Sequence, residues 1–213
     1  MATGKIVLYH MPNSRSNATL LLLEELGAPY ELRILNMKKG EQRQAAYLAV
    51  NPMGKVPAVI HNDTLITEQA AIYIYLADLF PQAGLAPRFD DAQRGAYLRW
   101  IVFYASAFEP AIIDRSLQRD SGRPAASPYG DFDTMFGTLL RQFETGPYIL
   151  GARFSAADVL WGASLSFMMG WKLLPEAPVL ADYVARHKAR PAVGRIAAKN
   201  AEILAARDAA PAG

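Results

Sequence analysis

The spacing of apolar residues changes repeatedly over about the first eighty positions and then settles. Positions 5–9 (KIVLY) form a short β-rich run, closed by the turn formers Met11, Pro12 and Asn13. Positions 17–26 carry the block Leu20, Leu21, Leu22, Leu23 and predict a helix buried on more than one side. Gly27 is its expected C-cap, and Pro29 prevents the helix from continuing. Positions 30–35 alternate like a second strand, 38–40 make a basic turn, and 41–50 predict a short helix. Two brief runs at 59–61 and 65–67, joined by Asn62 and Asp63, read as strands. A second strong helix is predicted over 69–80, with Ile72, Tyr75, Leu76 and Leu79 at helical spacing. The order is β-α-β-α-β-β-α.

Positions 81–87 (PQAGLAP) read as a linker, and no strand pattern follows. A long helix is predicted over 90–115, carrying Tyr97, Trp100, Ile101, Tyr104 and Phe108, with Pro110 expected to kink or break its last part. A Pro/Gly/Ser-rich loop at 120–129 separates it from helical segments at 131–143, 155–169, 179–189 and 192–206. The expected architecture is an α/β domain over 1–80 and an all-α domain over 88–213, with a biased tail, AARDAAPAG. Ser155 and Asp158, framed by Phe154 and Val159, form a capping box with a hydrophobic staple and fix where a buried helix starts. That role is structural.

Composition narrows the function. The chain is 52% hydrophobic and 20% charged, an ordinary globular balance, and its formal net charge of +2 makes no case for nucleic acid or an anionic membrane. It contains no cysteine, which excludes disulfides, thiolate metal sites and a protein thiol nucleophile. No apolar run reaches the roughly 18 residues of a membrane span, and MATGK leads straight into a strand pattern. A cytoplasmic protein is expected. His10, His61 and His187 are scattered without ligand spacing, so no metal is expected.

The most informative stretch is 51–69, NPMGKVPAVIHNDTLITEQ. Pro57 stands where an edge strand would begin and removes a ladder donor. A cis Val56–Pro57 bond explains it, and would leave the N–H and C=O of Val56 open to another extended backbone. An ordinary hairpin with an edge proline is the alternative. Ser14 and Ser16 precede the leucine-rich helix, where serine usually serves as an N-cap.

These pieces together resemble the cytosolic glutathione transferases. The likeness runs through KIVLYHMPNSRSN, LLLLEELGAPYEL, NPMGKVPAVI, the turn Thr67-Glu68-Gln69 with AIYIYLADLFP, and FSAADVLWG, in order along nearly the whole chain. It implies a thioredoxin-like N-terminal domain, a helical C-terminal domain and glutathione as co-substrate, in a homodimer. It implies that Ser14 is the hydroxyl that meets the glutathione thiol, with Ser16 second and Tyr9 third. Val56, turned outward by Pro57, would pair with the cysteinyl backbone of glutathione, and Glu68 would meet the γ-glutamyl ammonium. The helix start at Gln69 would hold the adjacent carboxylate, although many members carry serine there. Lys55 is placed for the glycine carboxylate. Gln42 and Arg43 replace a His-Lys pair of some plant-type members. Arg15 assists by charge or is simply solvated. The hydrophobic electrophile would lie against Met11, Phe103, Tyr104 and Phe108, an aromatic stripe whose alternative role is core. Peroxidase or dehalogenase chemistry on the same site, or a non-catalytic binding module, are the other outcomes.

Overall fold

Strand β1 (Ile6–His10) alternates buried and half-buried positions and lies inside a four-stranded sheet in the computed structural model, which describes residues 4–209. The strand order is β2-β1-β3-β4, with β2 spanning Glu31–Ile34, β3 Ala58–His61 and β4 Thr64–Ile66. β1 and β2 are parallel, joined through helix α1 (Ser16–Leu26), whereas β3 pairs antiparallel with β1 and with β4. This is the mixed sheet of the thioredoxin-like fold.

The leucine block explains α1. Leu20–Leu23 are at most 1% exposed, so the helix is enclosed on several sides. It stops at Gly27, which adopts φ 63° and donates its N–H to Glu24 O, while Ala28 N–H returns to Leu23 O. The helix expected over 41–50 is smaller than anticipated. A three-residue 3₁₀ turn, Glu41–Arg43, gives way to a four-residue helix α2 (Ala45–Leu48), because Gln44 between them is extended. Helix α3 (Gln69–Leu79) closes the same layer as α1, and Tyr73 Oη donates to Ala18 O at 2.5 Å.

The chain separates into two units, one comprising the described residues up to Ala83 and from Ala189 onward, the other Gly84–Lys188. The last helix, α9 (Pro191–Ala209), therefore packs in the first unit, against α1. Arg190 makes a two-pronged ion pair with Glu25, both bonds 2.6 Å. Arg195 and Lys199 reach Glu24 at 3.0 and 3.1 Å. Burial works against the Glu24 carboxylate, but hydrogen bonds from Tyr30, Arg195 and Lys199 outweigh it and hold the pKa down to about 2.

The second unit is helical: α4 (Arg94–Phe103), α5 (Glu109–Ser116), α6 (Phe132–Phe143), α7 (Ala156–Gly170) and α8 (Pro178–Lys188). Trp161 on α7 is fully buried, and the rings of Trp100, Tyr104, Phe108 and Phe143 surround it at centroid distances of 6.4, 5.4, 4.8 and 6.1 Å. The helix expected over 90–115 is interrupted by a five-residue π turn, Tyr104–Phe108. Pro110 offers no N–H to the carbonyl of Ser106 and crowds it, so the backbone widens ahead of the proline and then resumes as α5. At Gly162, a Cβ would lie 2.2 Å from His187 Nδ1, which is why α7 and α8 approach closely there. Among the described residues no helix is long and apolar enough to cross a membrane.

The capping box at the start of α7 is present and extends further than the sequence indicates. Asp158 accepts the Ser155 N–H at 2.9 Å, the Ser155 hydroxyl at 3.0 Å, the Ile149 N–H at 2.7 Å and the Tyr183 hydroxyl at 2.9 Å. Asp158→Ala strips four donors of their acceptor in the interior, each costing about 1–3 kcal/mol if unsatisfied. A loss of at least about 3 kcal/mol in urea denaturation is expected. A second prediction concerns α9. Because the folded Glu24 pKa lies below its ordinary 4.5, its contribution is full above pH 4.5 and fades as pH falls toward about 2. The stability difference between wild type and Glu24→Gln, measured by urea denaturation, should shrink over that window.

Candidate functional site

The sheet register determines what gathers at one end. Leu8 lies opposite Val59, and Val59 opposite Ile66. Continuing each strand outward brings the residues after β1, those before β3 and those after β4 to the same end of the sheet. These are the turn at 11–16, the pair Val56-Pro57, and Thr67-Glu68-Gln69.

The first of these holds both serines. Ser14 is half-buried, and its Oγ donates to Met11 O at 2.8 Å and lies 2.8 Å from Ser16 Oγ. The Ser16 N–H donates to Ser14 Oγ at 3.2 Å. Ser16 itself is 0% exposed, with its Oγ accepting the Met11 N–H at 3.0 Å and lying 2.9 Å from His10 Nδ1. The expectation that Ser16 serves as an alternative donor to a bound thiol is therefore corrected: no ligand reaches a wholly buried hydroxyl. Neither serine caps α1, whose N-cap position is Arg15 without a side-chain cap. Tyr9 alternates to the opposite face from His10 and packs on Tyr47 at 5.2 Å.

His10 is fully buried, and its Nε2 lies 2.8 Å from Asn200 Oδ1 on α9. Burial pushes its pKa below the ordinary value, hydrogen bonds with Asn200 and Ser16 oppose that, and the Lys199 charge adds to it. The imidazole is neutral near pH 7. Sequence reading set His10 aside as one of three scattered histidines and did not single out Asn200. The pairing spans 190 positions, and nothing local signals it.

The second wall is the loop before β3. Asn51 Nδ2 and Tyr47 Oη both donate to Lys55 O, at 2.8 and 2.6 Å, and the Met53 N–H returns to Asn51 Oδ1. Gly54 adopts φ 61°, and a Cβ there would meet Gln42 O at 2.6 Å, so glycine is required twice over. The Val56–Pro57 peptide is cis, as expected. Among the described residues none pairs with the backbone N–H or C=O of Val56. Lys55 is exposed, Pro57 is buried, and Gln42 is half-buried with its Oε1 lacking a partner. Arg43 Nη1 donates to Met53 O at 3.2 Å, bracing the same loop.

The third wall is the start of α3. Glu68 is exposed and held at φ 61° and ψ 115°, outside the regions that a non-glycine residue ordinarily adopts. Gln69 is 9% exposed, yet neither its Oε1 nor its Nε2 has a partner. The first N–H groups of α3 have no acceptor four residues back within the helix. This end of the sheet thus combines a hydroxyl, an open strand edge, a carboxylate and free amide donors. Such a set suits a short, zwitterionic, extended peptide.

The residues expected to line an apolar pocket are not all at the surface. Tyr104 and Phe108 are 2% and 0% exposed and pack around Trp161. They are core, and their assignment to a substrate pocket is corrected: the large buried indole fills the space they face. Met11 is half-buried in the first unit and Phe103 half-buried in the second. Among the described residues no cluster of His, Asp and Glu could hold a metal.

Comparison with known proteins agrees with the geometry. Residues 4–78 match the family model for the glutathione S-transferase N-terminal domain. The crystal structure of a glutathione transferase from Methylococcus capsulatus strain Bath is 30% identical, with a TM-score of 0.77 over 92% of this chain and 98% of that one. The chain belongs to the glutathione transferase family. A Sulfitobacter glutathione transferase homologue solved with bound glutathione is 25% identical, with a TM-score of 0.72 over 92% of this chain and 98% of that one. The disulfide-bond oxidoreductase YfcG of Escherichia coli K12 is 24% identical over 89% of this chain and 93% of its own. Membership in the glutathione transferase family supports a glutathione-related enzymatic activity and glutathione binding.

A side chain at positive φ costs on the order of 1–3 kcal/mol, and such strain concentrates at functional sites. Glu68→Gly should therefore raise stability by about 1 kcal/mol in urea denaturation. A destabilised variant would show that position 68 stores no strain.

Proposed function

We propose that the protein joins glutathione to a small apolar electrophile after ionising the glutathione thiol at Ser14, as a cytoplasmic homodimer. The observation that carries this reading is the meeting, at one end of the sheet, of the Ser14 hydroxyl, the unpaired Val56 backbone and the strained Glu68.

Glutathione would lie extended across the strand edge, its cysteinyl backbone exchanging hydrogen bonds with the N–H and C=O of Val56. Glu68 would meet the γ-glutamyl ammonium. The first N–H groups of α3 and the unpartnered Gln69 amide would receive the carboxylate beside it. At the other end, Lys55 and Gln42 would hold the glycine carboxylate. The thiol then falls over the turn at 11–16.

Chemistry requires the thiolate. An ordinary thiol of pKa about 8.5 is only a few per cent ionised near neutral pH. Lowering that by about two units takes roughly 2.7 kcal/mol of preference for the charged form. A hydrogen bond from Ser14 Oγ, with the positive end of α1 beside it, supplies stabilisation of that order. The released proton passes to solvent. The sulfur then forms a bond to the electrophilic carbon, and either a leaving group departs with its electron pair or an activated double bond takes up a proton.

A second reading comes from the similarity to YfcG along nearly its whole length. The same thiolate, attacking a disulfide, would form a mixed glutathione disulfide and expel a thiolate. A second glutathione would then resolve it, giving glutathione disulfide. No protein cysteine takes part, so the lack of cysteine does not oppose this reading as it opposes one using a protein thiol.

Titration calorimetry of glutathione in two buffers of different ionisation enthalpy tests the primary reading. Binding with net proton release is expected for wild type. Ser14→Ala should bind with near-normal affinity but release fewer protons and show a bound-thiol pKa higher by one unit or more. Glu68→Ala should weaken binding at least tenfold. Normal binding by the Glu68 variant would refute the placement of the peptide.

A further inference from the structure

A run of hydrogen bonds lies behind Ser14 that holding glutathione does not require. It passes from Ser14 Oγ to Ser16 Oγ at 2.8 Å, to His10 Nδ1 at 2.9 Å, from His10 Nε2 to Asn200 Oδ1 at 2.8 Å, and from Asn200 Nδ2 to Asn17 Oδ1 at 3.2 Å. Ser16, His10 and Asn200 are each at most 8% exposed, so bulk water does not break into the run.

Its polarity follows from the donors and acceptors available. Asn200 Nδ2 donates to Asn17 Oδ1, which turns the Asn200 Oδ1 toward His10. A carbonyl oxygen only accepts, so His10 Nε2 carries the ring proton and Nδ1 is bare. The Ser16 hydroxyl then donates its only proton to the bare Nδ1 at 2.9 Å rather than to Met11 O at 3.1 Å, which Ser14 Oγ already supplies. From that point Ser16 Oγ is an acceptor alone, taking the Met11 N–H. Ser14 cannot receive a proton from Ser16 Oγ; its own O–H donates to Met11 O while its Oγ accepts the Ser16 N–H, and rotation about the Cβ–Oγ bond carries that proton from Met11 O to a sulfur bound beside the turn. His10 is not a store for the thiol proton, because its burial and the neighbouring Lys199 charge both oppose an imidazolium there.

We propose that Asn200, His10 and Ser16 are positioning residues for Ser14: the α9 amide fixes the imidazole tautomer, the imidazole fixes the Ser16 hydroxyl, and Ser16 fixes the place of Ser14 Oγ, whose proton turns from Met11 O to the glutathione sulfur when the thiol is bound. The proposal rests on the reading of Ser14 as the thiol's partner. Removing the Asn200 acceptor lets His10 take the opposite tautomer, which frees the Ser16 proton to turn to Met11 O or Ser14 Oγ and so unfixes the Ser14 hydroxyl. The cost appears as a weaker hydrogen bond to the thiolate, because small displacements of such a donor are felt in the stabilisation it provides.

The test is the pKa of the thiol in the glutathione complex, read from thiolate absorbance against pH for the full chain. Asn200→Leu should raise it by about half a unit or more, a roughly threefold loss of thiolate at a fixed pH below the pKa. kcat/KM should fall in proportion and recover at higher pH, while KM for glutathione stays within about twofold. Asn200→Asp, which keeps an acceptor for Nε2–H, should recover most of the shift. In a Ser14→Ala background, Asn200→Leu should add nothing. An unshifted pKa in Asn200→Leu, or an additive shift in the double variant, would overturn the proposal and leave Asn200 a packing residue. If instead Ser14→Ala alone leaves the thiol pKa unchanged, the reading of Ser14 itself fails. Nitrogen NMR of the His10 ring in the unaltered protein needs no substitution. Nε2 protonated and Nδ1 bare near neutral pH is expected, and the opposite tautomer or an imidazolium would overturn the proposal.

Discussion

The antiparallel pairing of β1 with β3 is the constraint on which the first unit depends. Four residue pairs, from Ile6 with His61 to Tyr9 with Ala58, set one register. A slip of one residue would turn Leu8 and Val59 away from the core they now fill. It would also separate the end of β1 from the loop before β3. The leucines of α1 and the buried face of α3 cover one register only, so burying the core and aligning the three walls of the site are the same event.

Much of this was legible in the chain. A block of four leucines followed by a glycine and a proline can only be a buried, sharply stopped helix in this setting, and α1 ends at Gly27 as read. Pro57 offered a cis peptide beside an ordinary hairpin, and the peptide is cis. The capping box at Ser155 and Asp158 was visible because both partners sit within one helical turn. The parts that did not read were those decided across space. Gln44 adopts an extended backbone that splits the expected helix at 41–50, and no residue preference announces it. The aromatic stripe at Tyr104 and Phe108 was ambiguous until Trp161, more than fifty positions later, claimed both rings. Glu68 is an ordinary helix-start carboxylate by type, and only its φ sets it apart.

The site inherits a division of labour from these two kinds of information. Apart from Gln42, the groups that would touch glutathione lie in short local segments, 11–16, 51–57 and 67–69, each with its own sequence signature. Groups that hold them come from elsewhere. Tyr47 clamps Lys55 alongside the loop's own Asn51, Gln42 meets Gly54, and Asn200 meets His10. A motif search finds the first set and passes over the second, because support requires only an atom of the right polarity at the right place. Several residue types can provide that from several elements.

The return of α9 to the first unit carries a consequence for how the protein comes into being. The strands, the cis peptide and all three walls are encoded before residue 84, so an emerging chain holds every residue proposed to touch glutathione before α9 is made. His10, however, has its Nε2 acceptor on Asn200, and Glu24 and Glu25 have their cations on Arg195, Lys199 and Arg190. Until those have left the ribosome, the imidazole lacks its Nε2 acceptor and the two carboxylates lack their cations. The segments proposed to meet glutathione are thus made before the α9 side chains that support them.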